Sequence, residues 1–166
     1  GAKLSGAKRI LCPHGDLEAI ERALRLNRRR HRRALIIVEG LYSMDGDVPD
    51  LAALVRLKRR YDAWLMVDEA HSVGVLGATG RGIAEEQGVD PVDVDIWMGT
   101  LSKSLASTGG YVAGSRKLIE LLKYTSPGFV YSVGGCPSVA AAAGAALDVM
   151  RREPWRLERL RQNGRA

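Results

Sequence analysis

Short apolar runs that end on a carboxylate, separated by stretches of helical spacing, constrain this chain more than any other feature of its sequence. Residues 34–39 (ALIIVE) and 64–68 (WLMVD) are continuous apolar runs closed by Glu39 and Asp68. Runs of that length read as short strands, and the lack of polar alternation in 34–39 predicts burial on both faces. Between them, residues 50–61 (DLAALVRLKRRY) start with an Asp N-cap and place leucine and valine at helical intervals. Upstream, Asp16 precedes a helix whose apolar residues are Leu17, Ile20, Ala23, Leu24 and Leu26. Downstream, 94–98 (VDIWM) and 110–113 (GYVA) read as strands, and 115–124 and 137–151 as helices. Strand and helix in alternation predict an α/β fold on a doubly wound, mostly parallel sheet.

In sheets of that kind ligands bind beyond the carboxyl ends of the strands. The segments that follow the strands are therefore the places to look for chemistry. They are 39–47 (EGLYSMDGD), 68–72 (DEAHS) and 99–104 (GTLSKS). Together they bring carboxylates, one imidazole, hydroxyls and one lysine to the same end of the sheet.

Charge and cysteine content narrow the alternatives. The net charge is +6, yet five arginines lie between Arg28 and Arg33, and residues 151–166 carry six Arg against two Glu, so the remainder is mildly acidic. The arginine run has no interleaved aromatics for base stacking and follows a helix, where cations complement the macrodipole. It reads as a solvated helix end rather than a nucleic-acid surface. The longest apolar run, Val139 to Leu147, falls far short of the roughly 20 residues a bilayer span requires. No secretory leader pattern opens the sequence, and two cysteines, Cys12 and Cys136, make no disulfide framework. The expected setting is the cytoplasm.

Three constellations compete for the chemistry. Asp68-Glu69-Ala70-His71 spells the acidic box of nucleotide-hydrolysing helicases, but the phosphate-cradling loop they require contains a Gly-Lys pair, and this sequence has none. Gly74-Val-Leu-Gly77-Ala-Thr-Gly80 has the spacing of a dinucleotide loop. Five residues separate it from the preceding strand, which makes it a loop beside the site rather than a pyrophosphate cradle. The third constellation uses every loop segment. Lys103 stands among Thr100, Ser102 and Ser104, with Gly109 and Gly110 after them. Lysine forms Schiff bases with carbonyl cofactors, and pyridoxal phosphate (PLP) asks for such a lysine, an anion for its ring nitrogen and small donors for its phosphate. Asp68 offers the anion and Thr100 a donor.

The segments EGLYSMDGD (39–47), VDEAHSVGVLGATGRG (67–82), GTLSKS (99–104), GGYVAGS (109–115) and GFVYSV (128–133) resemble the α-oxoamine synthases. These are fold-type I PLP enzymes that include 8-amino-7-oxononanoate synthase, 2-amino-3-ketobutyrate CoA ligase, 5-aminolevulinate synthase and serine palmitoyltransferase. The resemblance implies that Lys103 is the Schiff-base lysine, Asp68 the partner of the pyridine nitrogen and His71 the imidazole near the phenolic oxygen. It implies further that Ser43 lies beside the ring and that Thr100 binds the phosphate. Lys103 would act as acid or base at the α-carbon of a small amino acid, which condenses with an acyl-CoA or carrier thioester, typically with decarboxylation, to give an α-amino ketone. An aminotransferase or another fold-type I enzyme is the alternative, and His71 after Asp-Glu-Ala and the Ser-Met-Asp-Gly turn weigh against it. A basic binding module built on the arginine run is a third reading, and it leaves the strand-end motifs unexplained. A homodimer is implied, since the family site lies between subunits. The expected organisation is the central part of a PLP-binding large domain over 1–150, then the start of a helix leading to a small C-terminal domain over 151–166. Val133 stands where the family often has a threonine that reaches a neighbouring subunit's phosphate, with Ser132 as the possible substitute. Cys136 reads as a small packed residue.

Overall fold

The structure, a computed structural model, describes residues 2–165. Among the described residues, eleven α-helices and strands follow one another, with short 3-10 turns at Arg28–Arg30 and Pro91–Asp93: α1 (Leu17–Asn27), β1 (Leu35–Glu39), α2 (Leu51–Arg60), β2 (Trp64–Asp68), α3 (Ile83–Gln87), β3 (Ile96–Thr100), β4 (Gly110–Gly114), α4 (Arg116–Thr125), α5 (Pro127–Val130), α6 (Pro137–Arg152) and α7 (Trp155–Asn163). Side-chain caps set the helix starts. Asp16 accepts the Ala19 N–H at 2.8 Å, Asp50 the Ala53 N–H at 2.7 Å and Ser115 the Leu118 N–H at 3.3 Å. Each satisfies one backbone donor that the helix itself leaves open.

The four strands form one sheet in the order β1-β2-β3-β4. β1, β2 and β3 run parallel, with Glu39 in register with Asp68 and Asp68 with Met98, and β4 returns antiparallel so that Gly110 faces Thr100. The mostly parallel α/β expectation therefore holds. The third strand lies two residues later than 94–98. Its start is set by Asp95, whose Oδ2 accepts both the Leu65 N–H and the Lys58 Nζ at 2.8 Å, so that a side chain takes the Leu65 donor while the Asp95 N–H bonds the Leu65 carbonyl at 3.1 Å. Pairing with β4 then carries β3 on to Thr100.

Helices α1, α2 and α3 cover one face of the sheet. Leu24, Leu51, Leu54, Leu57 and Ile83 pack there against Ile36, Val38, Leu65 and Val67. Burial of each such leucine contributes about 1.5–3 kcal/mol of transfer free energy. The expectation that 34–39 is buried on both faces is not met, because Leu35 is 46% and Ile37 55% exposed. Their side chains alternate with Ile36 and Val38 across the strand, and the helices named above all lie on the other side.

Within 151–165 lie the last two residues of α6 and the separate helix α7. Pro154 separates the two: it has no N–H to donate and it pushes Glu153 out of helical geometry, to φ −125° and ψ 61°. α7 is tied back to the body by Arg161, whose Nη2 donates to the Gly77 carbonyl at 2.5 Å, and by buried Leu157. No helix among the described residues is long and apolar enough to cross a membrane.

Candidate active site

The carboxyl ends of the three parallel strands meet at one edge, and the turns that leave them carry the sequence-predicted residues. Asp68 is the last residue of β2, half-buried, and its Oδ1 accepts the Ala70 N–H at 2.9 Å. Among the described residues its second oxygen has no hydrogen-bond donor. Next after Ala70, His71 reaches across to the β3 side, where its Nε2 lies 2.6 Å from the Lys103 Nζ. The proximity of these two groups, 32 residues apart in sequence, is the central geometric fact of the site.

Thr100 ends β3, and its Oγ1 is 2.7 Å from Ser102 Oγ and donates to the Gly109 carbonyl at 3.1 Å. The same oxygen accepts the Ser102 N–H at 3.2 Å. Two hydroxyls therefore sit together at the start of the turn that presents Lys103. Ala106 takes a positive φ of 47° in that turn, and its N–H closes onto the Lys103 carbonyl at 2.9 Å. Lys103 itself is exposed.

Ser43 joins this edge only indirectly. Its N–H donates to Glu39 Oε2 at 3.1 Å, and Glu39 is the register partner of Asp68. Among the described residues no hydrogen bond links Ser43 to Lys103, His71 or Asp68. Its turn is held from the other side by His14, whose Nε2 lies 2.8 Å from Asp47 Oδ2 and whose ring packs edge-on against Tyr42. The hydrogen bond to Asp47 raises the His14 pKa above its ordinary value.

A residue of the Asp68-Glu69-Ala70-His71 stretch to which the sequence assigns no part in PLP chemistry also lies at this edge. Glu69 is only 4% exposed and is hydrogen-bonded to Ser72 Oγ and to the Ile83 N–H, the latter at 3.2 Å. Burial is the main cause that pushes its carboxyl above the usual carboxylate range; hydrogen bonds from Ser72 and Ile83 oppose the shift and the Asp68 charge adds to it. The signal that could have found it is a pair of glycines. A Cβ on Gly40 would lie 2.7 Å from Ser72 Oγ, and one on Gly82, at φ +93°, would collide with the Glu69 carboxylate.

The glycine-rich stretch is a closed loop rather than a phosphate cradle. Val73 bridges Arg81, the Gly74 N–H donates to the Gly80 carbonyl at 2.8 Å, and Gly74, Gly77 and Gly80 all have positive φ. Gly74 also packs against the Ser104 side chain, beside Lys103. In the arginine run, Arg28 is not free in solvent: its Nε donates to the Tyr61 and Asp62 carbonyls at 2.8 and 3.0 Å and its Nη2 pairs with Asp62. Arg29, Arg30, Arg32 and Arg33 are exposed. Cys136, expected to be packed, is exposed at the N-cap of α6, and the Ser138 hydroxyl at 3.0 Å lowers its thiol pKa. Ser132 donates its hydroxyl to the Phe129 carbonyl at 3.0 Å, and Val133 is 94% exposed.

The fold and this constellation define a class of protein before any particular one. The family model described as aminotransferase class I and II matches residues 1–166, and the chain belongs to that family. It is 49% identical over 150 residues to an 8-amino-7-oxononanoate synthase of Geobacter sulfurreducens, covering 90% of this chain and 38% of the relative. It is 40% identical to serine palmitoyltransferase 2 of Caenorhabditis elegans, over 98% of this chain and 32% of that protein. Among solved structures, a serine palmitoyltransferase variant from S. paucimobilis with bound PLP-myriocin aldimine superposes with a TM-score of 0.82 at 32% identity, over 90% of this chain and 38% of that one. The fold is thus that of the fold-type I PLP transferases, and the chain spans about two fifths or less of these relatives' length.

Proposed function

We propose that this chain carries the cofactor-binding part of a PLP-dependent α-oxoamine synthase, which condenses a small amino acid with an acyl-CoA or carrier thioester. The observation that carries the reading is the His71–Lys103 contact at 2.6 Å beside the strand-end carboxylate Asp68. Likeness to both an 8-amino-7-oxononanoate synthase and serine palmitoyltransferases supports the acyl-transfer class over transamination.

The residues present suit the cofactor. Lys103 supplies the amine for its aldehyde, Asp68 an anion for its ring nitrogen and Thr100, with Ser102, hydroxyls for its phosphate. PLP supplies an electron sink that stabilises negative charge at the amino acid's α-carbon. The protein's own part is positional and protonic. Asp68, oriented by the Ala70 N–H, is the strand-end acceptor that a protonated ring nitrogen would use. His71 Nε2 and Lys103 Nζ share a hydrogen bond through which a proton can pass between imidazole and amine. Ser43, tied to the Asp68 edge through Glu39, would lie beside the ring.

By this reading, residues 1–150 form the central part of the large domain and 151–166 lead towards a small domain. The fold likeness over this stretch supports the first assignment. A homodimer is the proposed assembly, supported by the exposed apolar residues Phe129, Val130, Tyr131 and Val133. A cytoplasmic setting accords with two free cysteines.

Borohydride reduction of the chain incubated with PLP, followed by peptide mapping, tests the proposal. Pyridoxyl label on Lys103, absent in Lys103→Ala, is the expected result. Label elsewhere, or none on a folded chain, would overturn it. Release of a 2-oxo acid without consumption of thioester would move the protein to the aminotransferases.

A further inference from the structure

We propose that Glu69 is the positioning residue that holds the His71 imidazole against Lys103. His71 sits in a tight turn whose two ends are the residues tied by the Glu69–Ser72 hydrogen bond. The backbone closes the same turn, with the Ser72 and Val73 N–H groups donating to the Glu69 carbonyl at 3.1 and 3.2 Å. The Glu69 N–H donates to the Met98 carbonyl at 2.7 Å, so the turn is anchored to β3, the strand that leads to Lys103. Its carboxylate reaches a third element through the Ile83 N–H. The backbone of Glu69 therefore ties the His71 turn to β3, and its buried side chain braces the same turn against Ser72 and the start of α3.

Asp68 also tethers this turn, through the Ala70 N–H. On the PLP reading above, on which this inference rests, Asp68 has a cofactor nitrogen to hold as well. Glu69 lies buried beneath the site, with its carboxylate bonded to Ser72 and to the Ile83 N–H. Gly40 and Gly82 leave the space its carboxylate occupies, since a side chain at either position would displace it or Ser72. A carboxylate retained in a buried place at a desolvation cost, ringed by hydrogen-bond donors and by two glycines, is the pattern of a structural strut for a neighbouring functional group.

The test is a coupling measured without cofactor. The chain has three histidines, so the ring signals of His71 are assigned by comparison with His71→Asn. Lys103→Ala should displace those signals in the otherwise unaltered chain. In Glu69→Ala the displacement should vanish, in Ser72→Ala it should shrink, and in Glu69→Gln, which keeps two hydrogen-bonding atoms in the same place, it should persist. With PLP present, trapping on Lys103 should slow about tenfold in Glu69→Ala and recover in Glu69→Gln. A Glu69→Ala chain with native circular dichroism and an undiminished displacement would overturn the proposal. If Glu69→Ala does not fold, Ser72→Ala decides: a folded variant with the full displacement overturns it equally. Failure of Glu69→Gln to preserve the displacement would overturn positioning by hydrogen bonding. Absence of label on Lys103 in the unaltered chain would sink the PLP reading and leave the coupling result standing.

Discussion

Helices α1 and α4 have similar apolar spacing and different fates. In α1 (LEAIERALRLN) Ala19 and Leu24 are buried, whereas in α4 (RKLIELLKYT) no residue is, and Leu121 is 58% exposed. The contrast extends to the two halves of the chain. Nearly all buried apolar residues lie between Ala19 and Leu105, with Ala143 and Leu157 the exceptions later on. Amphipathic spacing makes a helix able to bury a face, but a covered face needs a second surface in contact with it. α1 and α2 have the sheet; α4, α5 and α6 expose most of theirs. The candidate site lies on the seam, with Asp68, Glu69 and His71 anchored in the packed half and Lys103 on the exposed turn that opens the other.

The largest expected effect tests that contrast directly. Leu65→Ala, at a fully buried position, should cost about 2–5 kcal/mol in denaturant unfolding, while Leu121→Ala should stay within about 0.5 kcal/mol. Equal losses would show that α4 is covered in solution. Next is Gly82→Ala, which forces an L side chain to φ +93° against the Glu69 carboxylate and should cost about 1–3 kcal/mol. Gly128→Ala, with open space around it, should be near neutral by the same measurement.

Asp95→Ala should follow, at about 1–3 kcal/mol, because it strands the Leu65 N–H and the largely buried Lys58 ammonium. Arg116→Ala, which removes an exposed pair with Glu120, should fall below about 0.5 kcal/mol. The smallest effect is a pH dependence at the Ser43 turn. The folded pKa of His14 is raised by Asp47, so its contribution is present in full below the unfolded pKa and is lost as pH rises through the folded one. The exchange protection of residues 42–47, corrected for base-catalysed intrinsic exchange, should fall across that window, which opens near pH ~6.5, and should stay constant there in His14→Asn. Glu69 has the opposite chemistry but the same sign: with its folded pKa raised, ionisation above the carboxylate range costs stability, and Glu69→Gln should remove that slope.

Much of this molecule is legible in the sequence because its signals are local. The Asp16 and Asp50 caps, the run at 64–68 and the carboxylate that closes it each depend on residues a few positions apart. The placement of Asp68, Thr100 and Lys103 beyond strand ends follows from the same alternation. The start of β3 does not, because Asp95 is locked by Leu65 and Lys58, 30 and 37 residues away. The uncovered face of β1 is equally silent in the sequence: an apolar run states what can be buried, and only the helix layer states which side is.

By itself the sequence determined the α/β alternation, the polar strand ends and the residue types that PLP chemistry would need. Only the tertiary structure brought His71 within 2.6 Å of Lys103, left Ser43 tied through Glu39, and buried Glu69 beneath the turn that carries His71. The physical reason is range. Caps and periodicity act over one or two turns of chain, whereas the contact between imidazole and amine depends on the register of β2 with β3 and on a buried carboxylate whose partners lie on separate elements.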